Sequence, residues 1–338
     1  MIIPSTYAVA LLLTIISMIC WGSWANTQKL TGKWRFELFY FDYSFGVLLC
    51  AAIAGLTFGS LGDGLTMLDN LAVTGKRQIA WAALGGVVFN LANILIVAAI
   101  SVAGLAVAFP VGIGLALVIG VVWNYILNPQ AHPVLLFSGV ALVTAAIVVD
   151  ALAYSAHARA RPEPGAKGRR SPVKGIVLSL AGGVLMGAFY PFVEMSKKGE
   201  IGLGPYSVGL VFAAAVLIST FLFNFYFMNL PVQGPPVSWR AYFQGTGRQH
   251  LLGVAGGVVW CIGTLSNFVA SSAPREVNVG PAVSYALGQG ATMISALWGL
   301  LVWKEFEGAS SRVKVLLVLM FVLFVSGLGL VSVAPLVK

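Results

Sequence analysis

The chain contains about ten long apolar segments, and part of its first half recurs in its second half. Residues 85–89 read Gly-Gly-Val-Val-Phe, and residues 256–260, placed 171 positions later, read Gly-Gly-Val-Val-Trp. A proline follows each glycine pair at the same distance and is expected to open the next apolar segment, Pro110 in the first half and Pro281 in the second. A duplicated helical bundle is typical of membrane carriers, because two related halves can rock about a central site.

The composition places most of the chain in lipid. Only 9% of the 338 residues are charged, whereas 59% are hydrophobic. A helix needs roughly 20 apolar residues to cross the hydrocarbon core, and the segments are too long and too rich in Leu, Val, Ile and Ala for barrel strands. The sequence therefore predicts an all-α membrane protein with ten transmembrane helices. Their expected bounds are 6–26, 38–59, 79–100, 103–126, 133–153, 175–195, 205–229, 250–272, 279–303 and 313–335.

A polar stretch at 154–174 is expected to join two halves of five spans each. Its prolines, glycines and like charges prevent a packed core there. The first five-helix repeat then occupies 1–153 and the second occupies 175–338. Because five is odd, two homologous halves must insert in opposite orientations, which gives an inverted repeat. The first and sixth spans also correspond, residues 21–24 to residues 186–189.

The net charge of +9 indicates orientation rather than nucleic-acid binding, because basic loop residues set the topology of membrane proteins. With the N-terminus outside, the inner loops hold 14 of the 20 Lys and Arg residues, and the outer side holds 6. We therefore expect an integral, multi-pass protein of the plasma (inner) membrane. Both termini would lie outside and 154–174 in the cytoplasm. The lipid bilayer is the expected surrounding, and nucleic acid is not an expected partner.

Several blocks of the chain resemble the ureide permeases of the drug/metabolite transporter superfamily. In the first half these blocks are 20–24 (CWGSW), 39–46 (FYFDYSFG) and 56–62 (LTFGSLG). In the second half they are 241–243 (AYF), the Gly-Gly span with Asn267, and 297–305 (LWGLLVWKE). Some blocks recur in the related glucose/ribose porters. The resemblance implies a ten-span carrier that imports small heterocyclic nitrogen compounds, such as allantoin or uracil, together with protons.

The central loop departs from the family pattern. Plant ureide permeases carry a phosphate-loop-like motif there, whereas residues 165–171 read GAKGRRS and lack the Gly-x-x-x-x-Gly-Lys-Ser/Thr spacing. A backbone cradle for nucleotide phosphates needs that spacing before a helix N-terminus. We therefore expect no ATP-driven transport and no cofactor.

Polar side chains inside spans are candidates for binding the solute, because they are costly in lipid and face the bundle interior or a cavity. Asn90 and Asn93 lie on one face of the third span, and Asn267 lies in its repeat partner, the eighth span. Tyr285 and Gln289 lie four residues apart in the ninth span and share a helix face. Amides and a phenol suit a ureide or pyrimidine edge and suit sugar hydroxyls equally. The alternatives are interhelical bridging by Asn and close helix packing through glycine in the ninth span.

Tryptophans are the candidates for stacking on a flat solute ring. Trp260 lies in the middle of the eighth span, where an interfacial anchor is less natural. Trp24, with Trp21, lies in the first span. The alternative for these side chains is the ordinary anchoring role of Trp at the membrane interface.

Two carboxylates are candidates for carrying a coupled proton. Glu194 lies near the end of the sixth span and follows Pro191, which frees backbone carbonyls in that helix. Asp42 lies at the entry to the second span. The alternatives are an ordinary helix-end carboxylate paired with a neighbouring lysine for Glu194, and a helix cap for Asp42. The sequence favours Glu194 slightly, through Pro191.

An enzyme is the rival from a different class of protein. The three His residues lie near loops without a metal-ligand neighbour at helical spacing, and no nucleophile–base set can be composed. We therefore expect no enzymatic activity, no catalytic residue and no metal site. The sequence predicts a secondary active transporter that imports a ureide or a uracil-like nucleobase by proton symport and alternating access. A monosaccharide transporter of the glucose, ribose or rhamnose type is the alternative, and the oligomeric state stays open.

Overall fold

The structure is a computed structural model that describes residues 1–62, 64–103, 105–160, 172–231 and 235–337. Its regular secondary structure within these ranges is helical, without a β-strand. Residues 161–171, with most of the predicted joint and the GAKGRRS stretch, lie outside the described residues. The helices are α1 (Tyr7–Ser23), α2 (Ala25–Leu30), α3 (Phe36–Leu56), α4 (Met67–Val73), α5 (Lys76–Ala103), α6 (Leu105–Leu127), α7 (Pro133–Ala160), α8 (Pro172–Ser196), α9 (Pro205–Asn229), α10 (Gly247–Ser271), α11 (Pro281–Gly288), α12 (Ala291–Leu297) and α13 (Ser311–Val333), with 3₁₀ turns at Trp239–Gln244 and Ala334–Leu336 and a π turn at Trp298–Val302.

The predicted all-α fold with ten spans is confirmed. Nine helical segments of the described chain are long and apolar enough to cross a membrane, and α6 supplies the tenth. The first span combines α1 and α2, and the ninth combines α11, α12 and the π turn. The expectation that Pro110 opens the fourth span is wrong, because Pro110 lies inside α6.

The outside of the bundle is apolar, as lipid requires. Ile126 and Ile218 are each 72% exposed, and Leu222 is 70% exposed. Buried polar side chains such as Asn90, Asn267 and Ser284 instead lie between the helices. This arrangement fits a membrane protein, because polar groups in lipid are costly unless they find partners inside the bundle.

Glycines at equivalent positions of the two halves contact equivalent helices. A Cβ atom on Gly86 in α5 would lie 2.4 Å from the Phe212 carbonyl in α9. A Cβ atom on Gly257 in α10 would lie 2.0 Å from the Tyr43 carbonyl in α3. The contact between the third and seventh spans in one place thus corresponds to the contact between the eighth and second spans in the other. Each glycine allows a close approach of two backbones that no larger residue would permit.

Glycines of the other spans also make equivalent contacts in the two halves. Gly22 in α1 lies against α12, and Gly187 in α8 lies against α6. In the fifth and tenth spans, Gly139 and Gly327 each lie against the carbonyl oxygen of the other. These contacts are consistent with the inverted five-helix repeat that the sequence predicts.

The ninth span is interrupted inside the membrane. Helix α11 ends at Gly288, and α12 begins at Ala291. Between them, the backbone N–H groups of Gln289 and Gly290 donate to carbonyls three residues earlier, as in a 3₁₀ turn. The π turn at Trp298–Val302 is a second irregularity of the same span. Discontinuous spans are typical of solute sites in transporters, because the interruption directs backbone groups toward the bound molecule.

Candidate functional site

An aromatic centre lies where the two halves meet. Phe89 and Trp260, which occupy equivalent positions in the repeat, stack with ring centroids 4.4 Å apart and 28° between the ring planes. Phe212 and Trp21 lie nearly parallel to Trp260, at centroid distances of 6.1 and 6.3 Å. The Trp260 side chain is 4% exposed. A solute ring can therefore stack on Trp260 only after one of the protein's own rings moves aside.

Gln289 follows Gly288, the residue of α11 that contacts this centre, and the side chain of Gln289 is unpartnered. It immediately follows α11 and is 9% exposed, and its amide has no hydrogen-bond partner among the described residues. The preceding Gly288 lies against the ring of Trp21, since a Cβ atom there would be 2.5 Å from that ring. A free amide offers two donors and an acceptor. Gln289 thus keeps its hydrogen-bonding groups free for a polar molecule, one residue after a glycine that contacts Trp21.

Asn267 in α10 is the centre of a fully buried hydrogen-bond network. Its Oδ1 accepts from the hydroxyls of Tyr190, at 2.6 Å, and Ser284, at 2.9 Å. Its Nδ2 donates to the Ser17 hydroxyl at 3.2 Å and to the Ser284 carbonyl at 3.1 Å. All four bonds of the amide are in use. The network joins α1, α8, α10 and α11, and a solute can bond Asn267 only after one of these bonds breaks.

Glu194 continues the same network toward the end of α8. Its carboxylate is 2.6 Å from Nζ of Lys197, and the two side chains are 7% and 12% exposed. Lys197 also donates to the hydroxyl of Ser271 at 2.8 Å, and that hydroxyl lies 3.1 Å from the hydroxyl of Tyr190. The polar chain therefore runs without interruption from the Glu194–Lys197 ion pair to Asn267.

Tyr285 is buried completely and bonds to backbone. Its hydroxyl lies 3.0 Å from the carbonyl of Met186 in α8 and 3.3 Å from that of Ala116 in α6. Its ring fills the space left by Gly120, where a Cβ atom would be 2.2 Å away. In this conformation Tyr285 holds α11 against α6 and α8.

The two Asn residues of α5 contact different helices. Asn90 donates from Nδ2 to the hydroxyls of Ser219 and Thr220 in α9, at 2.8 and 3.1 Å. Its Oδ1 is buried without a partner among the described residues. Asn93 is only half-buried and donates to the hydroxyl of Tyr40 in α3 at 3.0 Å. Asn93 and the Oδ1 of Asn90 therefore retain capacity for a ligand.

Trp24 lies at the junction of α1 and α2, toward the opposite end of the bundle from Glu194. Its ring is half-buried and packs on Tyr43 with centroids 4.8 Å apart. It does not contact Gln289 or Asn267 in any described interaction. The structure thus separates Trp24 from the residues around the ninth-span interruption.

Asp42 lies six residues after the start of α3, so it does not cap that helix. Its Oδ1 accepts from the hydroxyl of Tyr242 at 2.5 Å, and its Oδ2 lies 2.7 Å from Nδ1 of His250. Asp42 is 6% exposed. It joins α3 to α10 and to the 3₁₀ turn at Trp239–Gln244.

Sequence reasoning missed the partners of the candidate residues. Tyr190 lies one helical turn before Glu194, on the same face, and that spacing was a usable signal. Tyr242 belongs to the AYF block of the family resemblance. His250 and Ser271 gave no local signal, because their partners lie 208 and 74 residues away in the chain.

The described part of the chain contains no group of three His, Cys, Asp or Glu residues that could hold a metal ion. Cys20, Cys50 and Cys261 are free thiols, of which Cys261 is buried and the other two are half-buried.

Comparison with known proteins places the whole chain in one family. The family model for ureide permeases matches residues 39–167 and 166–334. Ureide permease 1 of Arabidopsis thaliana is 23% identical over 373 residues, with 92% of this chain and 93% of that protein covered. Ureide permease 2 of the same plant is 22% identical, with 94% of both chains covered.

The fold also matches a solved structure. A crystal structure described only as that of a protein superposes with a TM-score of 0.65 at 20% identity, covering 96% of this chain and 98% of the other. At that identity the match supports the fold alone. The family match to permeases confirms the prediction of a membrane transporter and not an enzyme. The chain belongs to the ureide permease family.

Proposed function

We propose that this transporter imports a ureide or a uracil-like nucleobase across the plasma membrane by alternating access, coupled to protons. The observation that carries the proposal is the unpartnered amide of Gln289 at the interruption of the ninth span, one residue after Gly288, which contacts the aromatic centre. The relatives named as ureide permeases, which match nearly the full chain, support the same solute class.

The chemistry of the centre fits a flat molecule with a polar edge. Trp21, Trp260 and Phe89, which now stack on one another, provide ring faces for a planar solute once one of these rings moves aside. Gln289 and Asn93 provide amide donors and acceptors for its carbonyl and N–H groups. Each neutral hydrogen bond contributes roughly 0.5–1.5 kcal/mol net, so several must act together to reach micromolar affinity. Asn90, Asn267 and Tyr285 join the site if the transport cycle releases their present bonds.

Glu194 and Asp42 are the two candidates for the coupled proton. Each is 6% exposed, and each holds a polar partner from another helix. Glu194 connects through Ser271 and Tyr190 to Asn267. Asp42 lies on the same helix as Tyr40, the partner of Asn93. Either position links a proton site to a candidate solute residue.

A ligand panel tests the solute class. Purified protein is heated with allantoin, uracil, glucose or ribose, and the shift in unfolding temperature is recorded. We expect stabilisation by allantoin or uracil, because ligands that bind the folded state raise its stability by mass action. Stabilisation by glucose or ribose alone would contradict the proposal and favour a monosaccharide transporter.

The Gln289→Ala variant tests the site. We expect its affinity for the stabilising ligand to fall about tenfold or more, which corresponds to about 1.4 kcal/mol, while its unfolding temperature without ligand stays unchanged. Gln78→Ala is the matched control, since Gln78 is an exposed amide that donates to the Lys198 carbonyl at the bundle end. Equal affinities in the two variants would move the site away from Gln289.

A further inference from the structure

A three-residue polar cluster closes one end of the contact between α3 and α10. Asp42 in α3 is bonded by Tyr242 from the 3₁₀ turn and by His250 from the first turn of α10. A Cβ atom on Gly253, one turn after His250, would lie 2.5 Å from Cβ of Asp42. The two helices are therefore in direct contact at this cluster, and the Asp42 carboxylate is placed between them.

The geometry determines which nitrogen of His250 can exchange a proton. A carboxylate only accepts hydrogen bonds, so Nδ1 of His250 carries hydrogen and donates to Asp42. Nε2 has no hydrogen-bond partner among the described residues and faces Gly245. The His250 side chain is 27% exposed, whereas that of Asp42 is 9% exposed. Nε2 is thus the position from which a proton can leave to water or return.

Few other titratable groups act on this pair. Burial, and then the bond to Asp42, raises the pKa of Tyr242, so its hydroxyl stays a donor. Glu37 in the first turn of α3 forms an ion pair with Arg35, with 2.6 Å between the guanidinium nitrogen and the carboxylate oxygen. Trp34 lies edge-on to His250, with centroids 5.0 Å apart. No described residue of α1, α2, α9 or α11 forms a hydrogen bond or ion pair with His250.

The proton on His250 decides the charge of the cluster. With His250 protonated, the pair with Asp42 is neutral and can stay dry. With His250 neutral, the cluster holds one negative charge on a nearly buried carboxylate, and burial of an uncompensated charge is costly. Loss of the proton therefore favours entry of water and separation of α3 from α10. Histidine is the side chain whose charge changes between about pH 5 and 8.

We propose that His250 and Asp42 together form the proton-binding site that couples transport, with His250 as the group that takes up and releases the proton. The proposal rests on the proposed function and selects between its two carboxylates. Glu194 already has a counter-charge in Lys197, 2.6 Å away, whereas the charge opposite Asp42 depends on the proton of His250. Release of the proton from His250 at the end predicted to face the cytoplasm opens that end and frees the solute.

Transport in vesicles of reconstituted protein tests the proposal. A gradient of one pH unit coupled to one proton supports up to about tenfold accumulation of labelled allantoin or uracil. In His250→Gln and in Asp42→Asn we expect the accumulation ratio to fall to about one, while solute exchange without a gradient continues.

His157→Gln is the matched control for the loss of an imidazole. His157 is also half-buried beside an aromatic ring, Phe306 at 5.4 Å, but has no carboxylate partner among the described residues. We expect it to accumulate solute as wild type does. Full accumulation in His250→Gln would overturn the proposal. Loss of accumulation in Glu194→Gln with full accumulation in His250→Gln would assign the proton to Glu194.

A measurement without solute separates this proposal from the proposed function. The chain has only three His residues, so imidazole NMR signals can be assigned with single His→Gln variants. We expect the titration curve of His250 to change in Asp42→Asn, while that of His157 stays the same. An unchanged His250 curve would overturn the proposal. Absence of any allantoin or uracil flux in wild type would instead reject the solute assignment and leave this test valid.

Discussion

Polar residues of this bundle have different roles because their side chains use different fractions of their hydrogen-bonding groups on protein partners. Asn267 uses all four hydrogen bonds of its amide on protein partners, so it contributes to stability in this conformation. Gln289 uses none and is available for a ligand. Two neighbouring lysines differ instead in exposure: Lys197 is half-buried and paired with Glu194, whereas Lys198 is exposed and donates to the Leu127 carbonyl.

The Lys197→Met variant tests the ion pair. We expect it to lower the free energy of unfolding by about 3–5 kcal/mol, because it leaves the buried carboxylate of Glu194 without a counter-charge. Thermal unfolding in detergent measures the change. Lys198→Met, the matched control, should change stability by less than about 0.5 kcal/mol. Adding Glu194→Gln to Lys197→Met should restore most of the loss, and equal stability of the two Lys variants would contradict this role.

At the scale of elements, glycines set how closely the spans pack. Gly257 in α10 brings the Tyr43 carbonyl of α3 within 2.0 Å of where a Cβ atom would lie. Gly86 has the equivalent role between α5 and α9. By contrast, a Cβ atom on Gly329 in α13 would have no neighbour within 4 Å. The consequence of adding one methyl group should therefore differ sharply between these helices.

The Gly257→Ala variant tests this packing. We expect a loss of about 1–3 kcal/mol in the free energy of unfolding, since the added methyl group overpacks the α3–α10 contact. Gly329→Ala should be neutral or stabilising by up to about 1 kcal/mol, because alanine favours the helix and meets open space. Thermal unfolding of both variants in the same detergent measures the difference. Equal stability of the two variants would mean that the α3–α10 contact is looser than described.

Spans could be predicted from sequence, whereas their irregularities and partners could not. The predicted span 205–229 matches α9, Pro205–Asn229, because a charge-free run has clear ends. The ninth span was predicted as one continuous segment. Its interruption at Gln289 accompanies the packing of Gly288 on Trp21, a residue from the other half of the chain. Likewise the sequence indicates only that His250 lies near a loop, because its partner Asp42 lies 208 residues earlier.

For the whole molecule, the contacts between the halves lie in three layers. The aromatic centre of Phe89 and Trp260 occupies the middle. The network around Asn267 and Glu194 lies toward the C-terminal ends of α8 and α10, and the cluster of Asp42 lies at the N-terminal ends of α3 and α10. From the distribution of basic residues, we expect the network of Asn267 and Glu194 to face outward and the Asp42 cluster to face the cytoplasm.

Cysteine labelling in intact cells tests this orientation. With 14 basic residues predicted inside and 6 outside, Gly168→Cys in the central loop should resist an impermeant thiol reagent. Glu200→Cys, an exposed position after α8, should react readily. The native thiols lie within the spans and serve as the background in the parent protein. Ready labelling at 168 together with protection at 200 would reverse the topology.

Solute counterflow is the most direct measurement of transport of a ureide or nucleobase. Vesicles of the reconstituted protein are loaded with unlabelled allantoin or uracil and diluted into a trace of the labelled compound. We predict a transient accumulation of label that protein-free vesicles do not show, with the labelled compound recovered chemically unchanged. Absence of counterflow with both compounds, together with counterflow of glucose or ribose, would contradict the proposed solute class.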